Sequence, residues 1–173
     1  MRHAIAEEAG PGASARADAA RRLTREGRRR MRLGAAGLRV LVPGVDVLAS
    51  SPLVRAVQTA ALVAGALGVD RRELLVLPTL APGARSRALL PWLAAQAPGT
   101  RAALVGHEPH LARLAALLLH RSARGGGRIF ALRKGGACLL DLAEPVRPGS
   151  ATLRWLATAR ALRILGGSDA DRS

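Results

Sequence analysis

The spacing of apolar and polar positions divides the chain into short alternating elements. Met31, Ala35 and Leu38 recur at i, i+4 and i+7 after Leu23-Thr24-Arg25-Glu26-Gly27. That pattern predicts an amphipathic helix with Thr24 as its N-cap and the arginines outward. Pro43-Gly44 breaks the run, and Val45 to Ala49 reads as a short strand. Ser51-Pro52 then sets a capping residue before a proline at the first helical position. Leu53, Val57, Ala60, Ala64 and Leu67 mark the buried face of that helix, which Gly68 ends. Leu74 to Leu77 reads as a strand, and Ser86 to Gln96 as a helix between Pro82-Gly83 and Pro98-Gly99. Ala102 to Val105 is another apolar strand. Pro109 opens a further helix with Leu111, Leu114, Ala115 and Leu118 on one face. Beyond a flexible Gly125-Gly126-Gly127, the segments Ile129 to Leu132, Ala137 to Leu142 and Thr152 to Ala157 read as strands. Residues 4–22 have no clear period and read as a surface loop, and the tail from Gly166 as disordered.

Strand and helix alternate through the first two thirds, which predicts an α/β sandwich with a largely parallel sheet. The terminal strands are expected to pair antiparallel at one side. A single domain over 1–165, with a tail over 166–173, accounts for the length. At 49% apolar residues the chain should fold. Its uncharged stretches fall well short of the roughly 20 residues that span a bilayer. Glu7 and Glu8 stand where the apolar core of a signal peptide would be, so a cytoplasmic protein is expected. Cys138 is the single cysteine, in an apolar run, and reads as a core thiol.

The net charge of +15 raises the question of nucleic acid. Lys134 is the one lysine, Asn and Tyr are absent, and Phe130, Trp92 and Trp155 are the only aromatics. The charge thus reflects an Arg-rich composition without stacking groups, and nucleic acid is an unlikely partner. Arg28-Arg29-Arg30 reads as a solvated helix face.

Chemistry is best sought where strands end. Ligands of open α/β sheets sit beyond the carboxyl ends of strands, where helix N-termini suit phosphate. Two segments share the design of strand, polar turn and proline-started helix: Ser50-Ser51-Pro52-Leu53-Val54-Arg55 and Val105-Gly106-His107-Glu108-Pro109. Arg55 in a first helical turn opposes the macrodipole unless an anion lies between them. Position alone leaves an ordinary surface arginine and a structural histidine open for Arg55 and His107.

These stretches, with Arg2-His3 before them, Leu23-Thr24-x-x-Gly27 between, and Leu132-x-Lys134-Gly135-Gly136 after, follow a known order. The chain resembles the histidine phosphatase superfamily, and in particular its SixA-like phosphohistidine phosphatase branch. Ala4 stands in place of the signature glycine. The resemblance implies a phosphoglycerate mutase-like, three-layer α/β/α fold, with His3 as a nucleophile that is briefly phosphorylated. Arg2, Arg55 and His107 would clamp the phosphate, with Ser51 and Lys134 as lesser candidates for binding it. No metal and no cofactor is implied. The resemblance also implies a strand immediately before Arg2-His3. Only Met1 precedes the pair, so the first strand is expected to be missing or truncated, with a start further upstream.

Glu108 follows His107, where some ester-cleaving relatives carry their acid, and could serve as acid or base; the alternative is helix stabilisation. Glu7 and Glu8 are weaker candidates. His107-x-x-His110 lacks a third ligand for a metal site, so His110 reads as a surface or rim residue and His120 as a helix C-terminal one. Three readings follow. The first is a phosphatase for phosphohistidine on a protein, such as a histidine-phosphotransfer domain. The second is a phosphomonoesterase for a small phosphate ester. The third is a phosphate-binding or basic interaction protein without turnover.

Overall fold

The computed structural model describes residues 1–121 and 131–170. The glycine run and the strand expected from Ile129 therefore lie outside the described residues, apart from Ala131 and Leu132, which are in no strand. The elements are α1 (Ala15–Ala20), α2 (Arg25–Leu41), β1 (Val47–Ser50), α3 (Val54–Leu67), β2 (Leu75–Val76), α4 (Leu90–Ala94), β3 (Ala102–Val105), α5 (His110–His120), β4 (Ala137–Leu142), β5 (Ala151–Ala157) and α6 (Ala159–Ala170).

Strands β2, β1 and β3 form a parallel sheet in that order. Its register sets Ser50 beside Val105 and beside Val76, so the strands end together. Residues 1–3 run along the free side of β3. The Met1 ammonium donates to the Leu104 carbonyl at 2.8 Å. Arg2 bridges Gly106 in parallel, and the His3 N–H donates to the Gly106 carbonyl at 3.0 Å. On its other side Arg2 donates its N–H to Gly136 at 3.0 Å, just before β4. These three residues therefore hold the place where the resemblance expected a strand to end. Strands β4 and β5 pair antiparallel, as expected of the terminal strands.

The side-chain alternation of the strands divides the core into two layers. Leu48, Val105 and Ala137 join Met31, Ala35, Leu38, Val63 and Leu162 on one face. Ala49 and Leu104, with Cys138, meet Leu80, Leu89, Leu114 and Leu118 on the other. The result is α/β/α, with α2, α3 and α6 on one side and α4 and α5 on the other.

Four local expectations are corrected. Residues 15–20 are helical rather than loop, with the Ser14 hydroxyl accepting from the Ala17 N–H. The helix after β1 starts at Val54 rather than at Pro52, and no side chain caps it. Its buried face is centred on Ala56, Ala60, Val63, Ala64 and Leu67, leaving Leu53 and Val57 half-buried. The segment Ser86–Leu89 is a 3-10 turn before α4. Finally, α6 continues to Ala170 where a disordered tail was expected from Gly166. Gly37 and Gly166 explain this: a Cβ on either would fall within about 2 Å of a carbonyl oxygen on the facing helix, so the two backbones touch. Only glycine permits that approach.

Candidate active site

The carboxyl ends of β1 and β3 deliver Ser51 and His107 to one place, and residues 2–3 arrive beside them. His3, Arg55 and His107 are all buried, at 6%, 4% and 3% exposure. The rings of His3 and His107 stand 4.9 Å apart, tilted by 52°. His3 Nδ1 lies 2.7 Å from the Ala4 carbonyl oxygen, which can only accept. Nδ1 therefore carries the proton and Nε2 keeps the lone pair. Burial, reinforced by the charges of Arg55, Arg2 and Lys134 and only partly opposed by that hydrogen bond, pushes the His3 pKa down to about 4. The ring is neutral at neutral pH.

The supports of His3 come from several elements. The Ala4 N–H donates to Thr59 Oγ1 at 3.0 Å, and that hydroxyl donates to the Arg55 carbonyl at 2.7 Å. Thr59 thus couples the His3 segment to the turn of α3 that carries Arg55. The Gly135 N–H is shared between the carbonyls of Arg2 and His3. Close approach of α2 also fixes this segment: a Cβ on Gly27 would meet the Ile5 carbonyl oxygen at 2.0 Å.

Three buried nitrogens in this group have no hydrogen-bond partner among the described residues: Arg2 Nε, Arg55 Nε and His107 Nδ1. Buried polar atoms are rarely left so, because each costs about 1–3 kcal/mol. Arg2 spends Nη1 on the Leu132 carbonyl at 3.0 Å. His107 spends Nε2 on Ser51 Oγ at 2.8 Å, and burial, with the charges of His3 and Arg55, pushes its pKa down to about 3. Ser51, expected as a cap and a lesser phosphate ligand, pairs with His107 and also accepts from the Leu53 N–H at 3.4 Å.

Arg55, expected to help clamp a phosphate, has its guanidinium fork already engaged. Its Nη1 donates to the Asp18 carbonyl at 2.6 Å and its Nη2 to Asp18 Oδ2 at 3.1 Å. What remains unpartnered is Nε. Sequence reasoning missed both Asp18 and the support given by Thr59. The available signals were an acid standing alone between Glu8 and Glu26, and a hydroxyl on an Ala-rich helix face.

The remaining candidates fall around this centre. The Glu108 carboxyl is raised by burial, against the pull of the Arg2 charge and a hydrogen bond from the Ala112 N–H. That bond caps α5, while Oε1 is buried without a partner. Lys134 is exposed, and its charge is felt by His3. Glu7 and Glu8 are exposed, and the Glu7 carboxylate accepts from the Arg22 N–H at 3.2 Å. His110, expected at a surface or rim, is 2% exposed with both ring nitrogens unpartnered. The described residues hold no group of three or more His, Cys, Asp or Glu suited to a metal. Arg29 and Arg30 pair with Glu26 on the exposed face of α2, and no helix among the described residues is long and apolar enough to cross a membrane.

A neutral imidazole thus lies beside unpartnered guanidinium N–H groups at the carboxyl ends of parallel strands in an α/β domain, the place where such sheets take their ligands. The family model of the histidine phosphatase superfamily (branch 1) matches residues 1–83. By structure the chain is similar to the protein histidine phosphatase SixA in complex with tungstate. That match has TM-score 0.77 and 26% identity, and covers 94% of this chain and 96% of that one. It is also similar to a protein described as the phosphohistidine phosphatase SixA of Nakamurella multipartitia (TM-score 0.69, 25% identity, 90% and 91% covered). The fold alone is shared with mycobacterial glucosyl-3-phosphoglycerate phosphatase (TM-score 0.66, 18% identity, 91% and 96% covered). No curated protein matches by sequence. The family match over residues 1–83 and the whole-chain likeness to SixA both make this chain similar to the histidine phosphatase superfamily.

Proposed function

We propose that the protein hydrolyses phosphohistidine on a protein partner through a covalent intermediate at His3. The observation that carries this reading is the set of three buried, unpartnered nitrogens beside a neutral His3. Each is a hydrogen-bonding group held in place by a second bond of its own side chain, and a phosphoryl group satisfies all three. In the proposed reaction His3 Nε2 attacks phosphorus as the substrate's N–P bond breaks, and the departing imidazole takes a proton from solvent. Water then attacks the phosphorylated His3, releasing inorganic phosphate and restoring the neutral ring. Arg2 and Arg55 offset the charge on the transferring group through their Nε–H edges. Preorganised donors of this kind supply most of the catalysis in phosphoryl transfer. That the similar SixA structure is a complex with tungstate supports an oxyanion as ligand.

A small phosphate ester is the second reading, and Glu108 favours it. A buried carboxyl with a raised pKa and a free Oε1 can protonate an alkoxide, which leaves less readily than imidazole. Hydrolysis of a phosphohistidine-bearing protein, run beside a panel of phosphate esters, separates the two. His3→Ala is expected to abolish turnover of either substrate; turnover that survives it would sink the covalent mechanism.

A further inference from the structure

The strongest unassigned feature of this site is the hold that Asp18 has on Arg55. α1 contributes no buried residue to the core, so apolar packing does not explain its position. Its polar contacts do. The Asp18 carbonyl and Oδ2 take Nη1 and Nη2 of Arg55 at 2.6 and 3.1 Å. Asp18 Oδ1 accepts from Arg21 Nε at 2.9 Å, and Arg21 Nη1 donates to the Glu7 carbonyl at 2.7 Å. The carboxylate is thus fixed from two sides, and its own chain is tied to the segment that leaves His3. Arg55 has no room to choose another partner, with its side chain 5% exposed. A guanidinium carries its five N–H groups in a rigid plane, so fixing both terminal nitrogens fixes the direction of Nε–H.

We infer that Asp18 is a positioning residue: by occupying both terminal nitrogens of Arg55 it aims the Nε–H edge at the phosphoryl group. The inference rests on the phosphatase reading, in which Arg55 touches the substrate. Among the described residues the Asp18 carboxylate is hydrogen-bonded by Arg21 and Arg55, and it supplies the counter-charge that lets Arg55 stay buried before an anion arrives. Without the carboxylate, Nη2 of Arg55 loses its ion-pair partner while the like charge of Arg21 remains, and only the backbone carbonyl holds the fork.

The test compares Asp18→Ala and Asp18→Asn with the parent chain by titration calorimetry with tungstate and by steady-state hydrolysis of a phosphohistidine-bearing protein. Asp18→Ala is expected to weaken tungstate binding and raise KM on the order of tenfold or more, since misplacing a clamp is costly. Asp18→Asn, which keeps one side-chain oxygen for Arg55 but loses the charge and the second acceptor, is expected to show a smaller loss that still exceeds twofold. In the Arg55→Ala background, Asp18→Ala should add less than about twofold, because the two act as one unit. Tungstate affinity within twofold of the parent in Asp18→Ala, or tighter binding, overturns the proposal, as does full additivity with Arg55→Ala. A purely structural tie would lower the melting temperature of Asp18→Ala while leaving affinity and KM in place, which also overturns it. Should Asp18→Ala fail to fold, Asp18→Asn decides: a loss of tungstate affinity above twofold is expected, and affinity within twofold of the parent overturns the proposal. A parent chain that binds tungstate but turns nothing over sinks the phosphatase reading alone, since the calorimetric comparison does not need turnover.

Discussion

At the scale of single residues, His3 and Ser51 give the sharpest tests. The His3 ring is buried and its Nδ1–H is committed to the Ala4 carbonyl. Burial disfavours the imidazolium more than that one hydrogen bond favours it, so the pKa falls from 6.5 to about 4. Proton NMR should therefore find the His3 Cε1–H shift flat from pH 8 down to about 5.5. A midpoint near 6.5 would contradict the neutral nucleophile. Ser51 acts one step behind. Its hydroxyl is the partner of His107 Nε2 at 2.8 Å, inside a site where nothing else is offered to that nitrogen. Ser51→Ala is expected to cost about 1–3 kcal/mol in urea unfolding, through an unsatisfied buried nitrogen. The same variant should lower kcat by loosening His107. Unchanged stability and rate would show that the hydroxyl is incidental.

At the scale of elements, backbone contacts matter more than apolar faces. Helices α2 and α6 touch through Gly37 and Gly166, where a Cβ would meet carbonyl oxygens at 1.8 and 2.0 Å. Gly37→Ala must push the helices apart, and is expected to lower the urea midpoint by the equivalent of about 1–3 kcal/mol or more. A midpoint equal to the parent's would refute the close packing. This contact also shows why the sequence was only partly legible. The long stripe of α2, the strand Ala102–Val105 and the strand Ala137–Leu142 could all be read, because period and apolarity coincide there. Helix α6 could not be read so easily: Leu162 and a few small residues bury it, and Gly166-Gly167 imitates a breaker. α1 was invisible for a related reason, as it buries nothing and is held by Asp18. The gathering of His3, Arg55 and His107 was legible from motif order. The engagement of the Arg55 fork was not, because nothing local in the sequence pairs Asp18 with a residue 37 positions on.

At the scale of the whole molecule, the two site histidines set how stability responds to acid. Both have native pKa values below the unfolded one, at about 4 for His3 and about 3 for His107, each lowered first by burial. Between about pH 6.5 and pH 4 the unfolded chain takes up protons on these rings that the native protein refuses. Stability is thus present above the unfolded pKa and is lost as pH falls, with a slope approaching 2.303RT for each ring. Burial of His110 lowers its pKa and adds in the same direction. Glu108 opposes them, because its raised native pKa means that the folded state holds a proton which the unfolded state has released. Burial raises the Asp18 carboxyl, but the hydrogen bonds from Arg21 and Arg55 outweigh this and hold it low. Its loss therefore falls below the usual carboxylate range, outside the histidine window. The net expectation is a fall on the order of 2 kcal/mol per pH unit between pH 6 and pH 5, read from urea unfolding. Substituting Gln for His107 should lower that slope by about one proton's worth while leaving the loss below pH 4 in place. A pH-independent midpoint across that window would mean that the two rings are not held neutral by burial. Saturating tungstate at each pH should raise the midpoint by mass action on the native state alone, and a site built to hold an anion between Arg2, Arg55 and His107 has to show that gain.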